Sequence, residues 1–268
     1  MKIPKTRTPA LAVPEKPMAS AVHYRVEVGN LHAHLFTVTM TIAHPAALQT
    51  LRLPVWIPGS YLVREFSKNL QNLTIRQGQR TLKVLQREKA TWQVHCTAGQ
   101  PLTIAYAVYA FDNSVRTAWL DASRGFFNGT SLFLQAEGFE NEAHGVELLP
   151  PPATPDWSAA TGLTAVKTDR KGFGSYRADN YDMLVDCPVE MGLFWSGSFK
   201  AGGVPHRFVV SGVPPSFDGT QLLKDTRKIC EAEIAFWKGK PPFSSYLFML
   251  NAVADGYGGL EHRNSTAL

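Results

Sequence analysis

Of the 268 residues, 44% are hydrophobic and 18% charged, a balance that suits a folded chain with a sizeable core and excludes a disordered one. The net charge of +5 comes from 27 basic and 22 acidic residues, and +3 of it sits in the first twenty positions (Lys2, Lys5, Arg7 and Lys16 against Glu15). Elsewhere the basic residues are scattered among acids, without the clustered face that nucleic acid requires, and no apolar run approaches the roughly 20 residues that cross a bilayer. Neither a nucleic-acid partner nor a membrane is therefore expected.

In chain order, residues 1–20 form a Pro-rich cationic tail, expected to be disordered. The tail's longest apolar run, Pro9 to Pro14, is too short for a signal-peptide core. Three widely spaced cysteines (Cys96, Cys187 and Cys230) argue against a disulfide framework or a zinc knuckle, so a reducing cytoplasm is the expected location. The Asn-x-Ser/Thr triplets at Asn72, Asn128 and Asn264 are attributed to chance.

From Tyr24 the pattern alternates: Tyr24, Val26 and Val28 face one way, and His23, Arg25 and Glu27 the other, the signature of a half-buried strand. Further strands are predicted at 35–42, 48–55, 70–75, 81–85, 91–95 and 102–110, with a hairpin at Gly78. Closely spaced strands without a helix describe an antiparallel sandwich or saddle. Between 111 and 156 the mixture of aromatics, glycines and a proline run predicts loop or seam, with Asn128-Gly129 read as a tight hairpin turn or as a residue reaching a cleft. Extended structure resumes over 174–189, a domain boundary is expected near 181–192, and a hairpin tip is expected at 199–206.

One strong helix is predicted from Asp218. That residue acts as N-cap, Gln221 reaches back to it as in a capping box, and Leu222, Leu223, Ile229, Cys230, Ile234, Phe236 and Trp237 form one apolar face. A strand follows at 246–253. Then comes a glycine-opened segment (Gly256, Gly258, Gly259) leading into an expected strand at 260–268 that carries Glu261. Glycines there let a ligand backbone approach, and the carboxylate can hold a cationic group such as a peptide's free amino terminus.

The sequence carries no recognisable catalytic signature. None of the eight histidines is followed by glutamate, so the His-Glu-x-x-His helix of zinc hydrolases is missing, as are the nucleophile elbow, the phosphate loop and the dinucleotide fingerprint. His32 and His34 are read as surface residues on a strand. Trp92 and Trp119 are attributed to core packing rather than to carbohydrate binding.

Three segments together carry a resemblance. Residues 56–66 (Trp56, Pro58, Gly59, Ser60, Tyr61, Arg64, Phe66), residues 184–190 (Asp186, Cys187, Pro188, Glu190) and residues 258–265 (Gly258, Gly259, Glu261, His262, Ser265) resemble, in that order, motifs of the glycyl aminopeptidase-like zinc metallopeptidases that bear a PDZ domain. The resemblance implies a β-rich α+β fold: an N-terminal antiparallel β-sandwich or saddle at 21–185, then the opening portion of a thermolysin-like catalytic domain at 186–268. It also implies a substrate-binding set of Gly258, Gly259, Glu261 and His262, with Glu261 anchoring the amino terminus of a peptide substrate. Catalytic residues and metal ligands are expected to be absent from this chain. The expectation is a fragment that ends before the His-Glu-x-x-His helix and is itself inactive and zinc-free. Its zinc-dependent parent would remove small N-terminal residues, Gly or Ala, from peptides. A non-catalytic peptide-binding or scaffold protein is the alternative.

Overall fold

The computed structural model describes residues 20–268; the expected tail lies outside the described residues, apart from Ser20. Its largest sheet has eight strands. In spatial order they are Thr164–Thr168, Gly174–Ala178, His144–Leu148, Val22–Asn30, Leu35–Ile42, Leu102–Tyr109, Leu70–Gln77 and Arg80–Leu82. All pair antiparallel except Val22–Asn30 with His144–Leu148, which run parallel. The alternation read at Tyr24 holds, since Val22, Tyr24 and Val26 are buried while His23 and Arg25 are exposed.

Two four-stranded sheets accompany it. One orders Gln135–Ala136, Leu48–Arg52, Thr91–His95 and Val84–Glu88; the other orders Ser158–Thr161, Val189–Gly192, Arg124–Phe127 and Ala118–Leu120. The strand expected at 81–85 is thus two: Leu82 ends in the large sheet and Val84 begins in a smaller one, with the chain changing sheets at Lys83. The strand expected at 48–55 stops at Arg52, two residues before Pro54, which has no N–H for a ladder.

Three buried tyrosines pin the core segment 132–134. Tyr106, Tyr181 and Tyr24 donate their hydroxyls to the carbonyls of Leu132 (2.7 Å), Phe133 (2.7 Å) and Leu134 (2.6 Å) in turn. Backbone acceptors buried this deeply need such partners. The seam expected over 111–156 is therefore largely structured, and it supplies an interior strand, His144–Leu148. Asn128-Gly129 is not a hairpin turn: Asn128 is extended, fully buried, and opens the short helix Gly129–Leu132. Residues 174–189 are not continuously extended either, because Asn180 accepts from the Met183 N–H and starts a helical turn, Tyr181–Val185. His32 and His34 lie in the turn after Val22–Asn30, not on a strand, and His34 stacks on Phe111.

The chain closes in a five-stranded sheet ordered Phe194–Ala201, Val204–Ser211, Tyr246–Asn251, Ser265–Ala267 and Leu260–Glu261. The helix Gly219–Phe236 connects Val204–Ser211 to its parallel neighbour Tyr246–Asn251, the usual crossover between parallel strands. Asp218 caps it, accepting from the Gln221 N–H at 2.9 Å. The Gln221 side chain, however, reaches forward to Asp225 rather than back, so the box is not closed. The expected apolar face is also redrawn. Leu222, Thr226, Cys230 and Ile234 are the half-buried stripe, whereas Ile229, Phe236 and Trp237 are mostly exposed. No helix among the described residues is long and apolar enough to cross a membrane.

Candidate functional site

The segment expected to be one strand over 260–268 is two short ones, Leu260–Glu261 and Ser265–Ala267, folded antiparallel with Leu260 opposite Ala267 and Glu261 opposite Thr266. Leu260–Glu261 therefore ends the five-stranded sheet as an edge. Leu260 is fully buried in the main core, the one centred on the eight-stranded sheet. Side chains alternate along a strand. With Leu260 turned in, Glu261 is exposed, and the next side chain, His262, turns in again at 2% exposure.

Backbone polarity alternates as well. The His262 N–H bonds inward to the Ser265 carbonyl at 2.8 Å, so the N–H and C=O of Glu261 and Gly259 face the open side. The Gly259 carbonyl accordingly accepts from Arg116 Nη2 at 3.3 Å. Gly258 has φ +136°, a conformation that glycine alone adopts readily.

The three sequence segments that carried the resemblance meet at this edge. In the first, the Ser60 N–H bonds the Ile57 carbonyl at 3.1 Å across Pro58-Gly59, and Gly59 has φ +83°, the residue pattern of a type II turn. A Cβ on Gly59 would sit 2.6 Å from Leu260 Cδ1, so the turn is seated directly on the edge strand. Arg64 Nε donates to Ser60 Oγ at 2.8 Å and Trp56 Nε1 to the Ser60 carbonyl at 2.7 Å, which fixes the turn.

The second segment clasps the far side. Asp186 meets His262 Nδ1 at 3.2 Å through one carboxylate oxygen and accepts the Arg263 N–H at 2.9 Å through the other. Cys187 donates weakly to Asn264 Oδ1 at 3.6 Å, and Asn264 Nδ2 bonds the Gly162 carbonyl at 2.8 Å. Burial, then the Asp186 charge, pushes the Cys187 thiol up to about 12, so it stays a protonated donor. Glu190, 2% exposed, forks onto Arg124 through two 2.7 Å hydrogen bonds and accepts from Ser211 Oγ at 2.6 Å. That cluster ties the strand carrying Arg124 to the closing sheet.

Gly258, Gly259 and Glu261 line a cleft of roughly 870 Å³ together with Gly59, Tyr61, Leu62, Arg64, Arg116 and Tyr257. The exposed tyrosines and Leu62 give it an apolar rim. His262 does not line it; its imidazole lies behind the strand on Asp186. Asn128 does not reach it either, but its amide donates to the carbonyls of Val115 (2.8 Å) and Thr117 (3.1 Å) and so holds the backbone on both sides of Arg116. Sequence reasoning missed Arg116, which carries no motif, while Arg64 was inside a quoted motif without an assigned role. Among the described residues no three His, Cys, Asp or Glu side chains converge as a metal site.

A family model for the peptidase M61 N-terminal domain matches residues 23–193. Among solved structures, an aminopeptidase N family protein from Idiomarina loihiensis is 42% identical with a TM-score of 0.89; the match covers 92% of this chain and 41% of that one. An M1 zinc metallopeptidase from Deinococcus radiodurans, a mutant bound to a Tyr-Ser-Ala substrate, is 14% identical with a TM-score of 0.55, covering 91% of this chain and 58% of that one. The same enzyme without a named ligand is 12% identical with a TM-score of 0.53, at coverages of 91% and 58%. These last two likenesses concern the fold. The chain thus spans well under two thirds of the length of these relatives. No curated protein matches the sequence. With the M61 N-terminal model spanning most of the chain and its three quoted segments converging on one edge, the chain belongs to the M61 peptidase family.

Proposed function

We propose that this chain supplies the substrate-side wall of an aminopeptidase, in which Glu261 holds the free amino group of a peptide lying along the open edge at Gly258 and Gly259. The observation that carries this is the single exposed carboxylate at the end of an unpaired sheet edge, in a glycine-lined cleft. A peptide added to that edge gains main-chain hydrogen bonds from the Gly259 N–H and from Glu261, the Gly259 carbonyl already accepting from Arg116. A carboxylate set against its terminal ammonium adds a charge-assisted bond that an internal or acylated residue cannot make. His262 serves by orienting the strand from behind, through Asp186.

The reading extends to the whole protein. Residues 21–185 are an N-terminal β-domain and residues 186–268 open a thermolysin-like domain. Zinc, its ligands and the general base belong outside the described residues, and the preference for Gly or Ala at the amino terminus belongs to the complete enzyme. A change of domain is supported by the family match, which ends at residue 193, and by the crossover sheet that follows it, a few residues later than the 185/186 boundary, since Val189–Gly192 still pairs within the first part. Peptide hydrolysis by the 268-residue chain alone, abolished by a chelator, would contradict the placement of the chemistry elsewhere.

Binding of Ala-Gly-Gly to this chain tests the anchor. Acetylating the peptide, or replacing Glu261 by Gln, is expected to weaken binding by about tenfold or more, the weight of one charge-assisted hydrogen bond. Equal affinities for the free and acetylated peptides would remove Glu261 from the role.

A further inference from the structure

The charges of the cleft are unusual for a site that captures an ammonium. One carboxylate, Glu261, shares it with two half-buried guanidinium groups, Arg64 and Arg116. Two cations near an ammonium site oppose its ligand unless the ligand brings a negative charge of its own. Both arginines are held in place. Arg64 gives Nε to Ser60 Oγ, and Arg116 gives Nη2 to the Gly259 carbonyl while its loop hangs on Asn128. Neither has a carboxylate partner among the described residues.

The position of Arg116 is as informative as its charge. It sits against the outward carbonyl of Gly259, on the same open edge that an added strand would occupy. Gly259 and Glu261 are two residues apart, about 6–7 Å along an extended strand. A ligand whose ammonium rests on Glu261 and runs along the edge toward Gly259 meets the guanidinium after about two residues.

We infer that Arg116, assisted by Arg64, receives a carboxylate, so that the cleft selects short peptides carrying both a free amine and a carboxylate about two residues away. This rests on Glu261 as the amine anchor. The carboxylate has two possible sources, the free C-terminus of a di- or tripeptide or an acidic side chain near the amino terminus. Guanidinium binds either one through the same paired N–H donors.

The test uses the 268-residue chain and four dipeptide probes: Gly-Ala, Gly-Ala amide, Gly-Asp amide and N-acetyl-Gly-Ala. Gly-Ala is expected to bind about tenfold more tightly than its amide, and this ratio should fall towards one in Arg116→Gln. Arg64→Gln should reduce it in part. Tight binding of Gly-Asp amide would identify the acidic side chain as a source, and weak binding would restrict the source to the C-terminus. If Gly-Ala, its amide and Gly-Asp amide all bind equally while acetylation still abolishes binding, the inference is overturned and the Glu261 anchor stands. If acetylation has no effect, the anchor fails, and the inference fails with it. Should either variant fold poorly, as read by its urea midpoint, the affinities of Gly-Ala and Gly-Asp amide relative to Gly-Ala amide on the unaltered chain decide alone.

Discussion

Gly59→Ala tests how the turn at Pro58-Gly59 registers the edge strand. Two costs add at this position. An alanine at φ +83° enters the region L-residues avoid, at about 1–2 kcal/mol. Its Cβ would also stand 2.6 Å from Leu260 Cδ1, and because Leu260 is fully buried it cannot swing clear, which adds about 1–3 kcal/mol of overpacking. The expected loss is about 2–5 kcal/mol in all. Gly78→Ala is the control: φ is +56° there, but nothing lies within 4 Å of the added Cβ, so only the backbone cost of about 1–2 kcal/mol applies. Urea midpoints at constant m-value read both variants. A double-mutant cycle with Leu260→Ala should recover about 1–3 kcal/mol of coupling, since truncating Leu260 vacates the contested space. Gly59→Ala should also weaken peptide binding by the native chain, whereas Gly78→Ala should not. Equal destabilisation by the two alanines, with no coupling to Leu260, would refute the seating of the turn on the edge strand.

Further outcomes follow from the contacts around the site. Glu190→Leu leaves the largely buried Arg124 guanidinium without a carboxylate and with Asn113 Oδ1 as its remaining partner, and should cost about 2–4 kcal/mol in urea unfolding. Adding Arg124→Met should recover much of the loss, as apolar replacement of a whole buried pair does. Asp186→Ala frees His262 Nδ1 and the Arg263 N–H, and should weaken peptide binding severalfold, with an unfolding cost of about 1–3 kcal/mol. The Cys187 thiol, pushed up to about 12 by burial, keeps its proton when the unfolded thiol loses it above about 8.5. Its contribution to stability is complete below that pH and is lost as pH rises towards 12. Tyr24 and Tyr181, also raised by burial, extend the decline at higher pH. Urea midpoints measured from pH 8 to 11 should fall, and the early part of the fall should flatten in Cys187→Ser.

The strands over 22–42 and 91–109 were legible because each carries a period-two pattern against one buried face. The helix start was legible because Asp218 carries its own capping chemistry. What the sequence hid depended on contacts between distant segments. His144–Leu148 is an interior strand, yet it follows a turn-rich stretch and is recruited by pairing with Val22–Asn30 from the far end of the domain. Asn128-Gly129 has the composition of a hairpin, but the Asn128 amide is consumed by the carbonyls of Val115 and Thr117, and the chain turns into a short helix instead. On the long helix the apolar residues exceed what one face holds, and only packing decides that Cys230 turns inward while Ile229 turns out. At the site, Glu261 and its glycines were visible as a motif. Arg116 was not, because its relevance arises only when its loop is laid against Gly259.

On the proposed function, a peptide's free amino end is captured on the edge formed by Gly258, Gly259 and Glu261, which is tested most directly by titrating isotope-labelled chain with Ala-Gly-Gly and following the backbone amide resonances. Capture there predicts that the Gly259 and Glu261 amides shift and become protected from exchange with the free peptide, that the acetylated peptide leaves them unchanged, and that Ser198 on the opposite edge strand, Phe194–Ala201, hardly responds. Shifts that ignore acetylation, or that centre away from this edge, would contradict it.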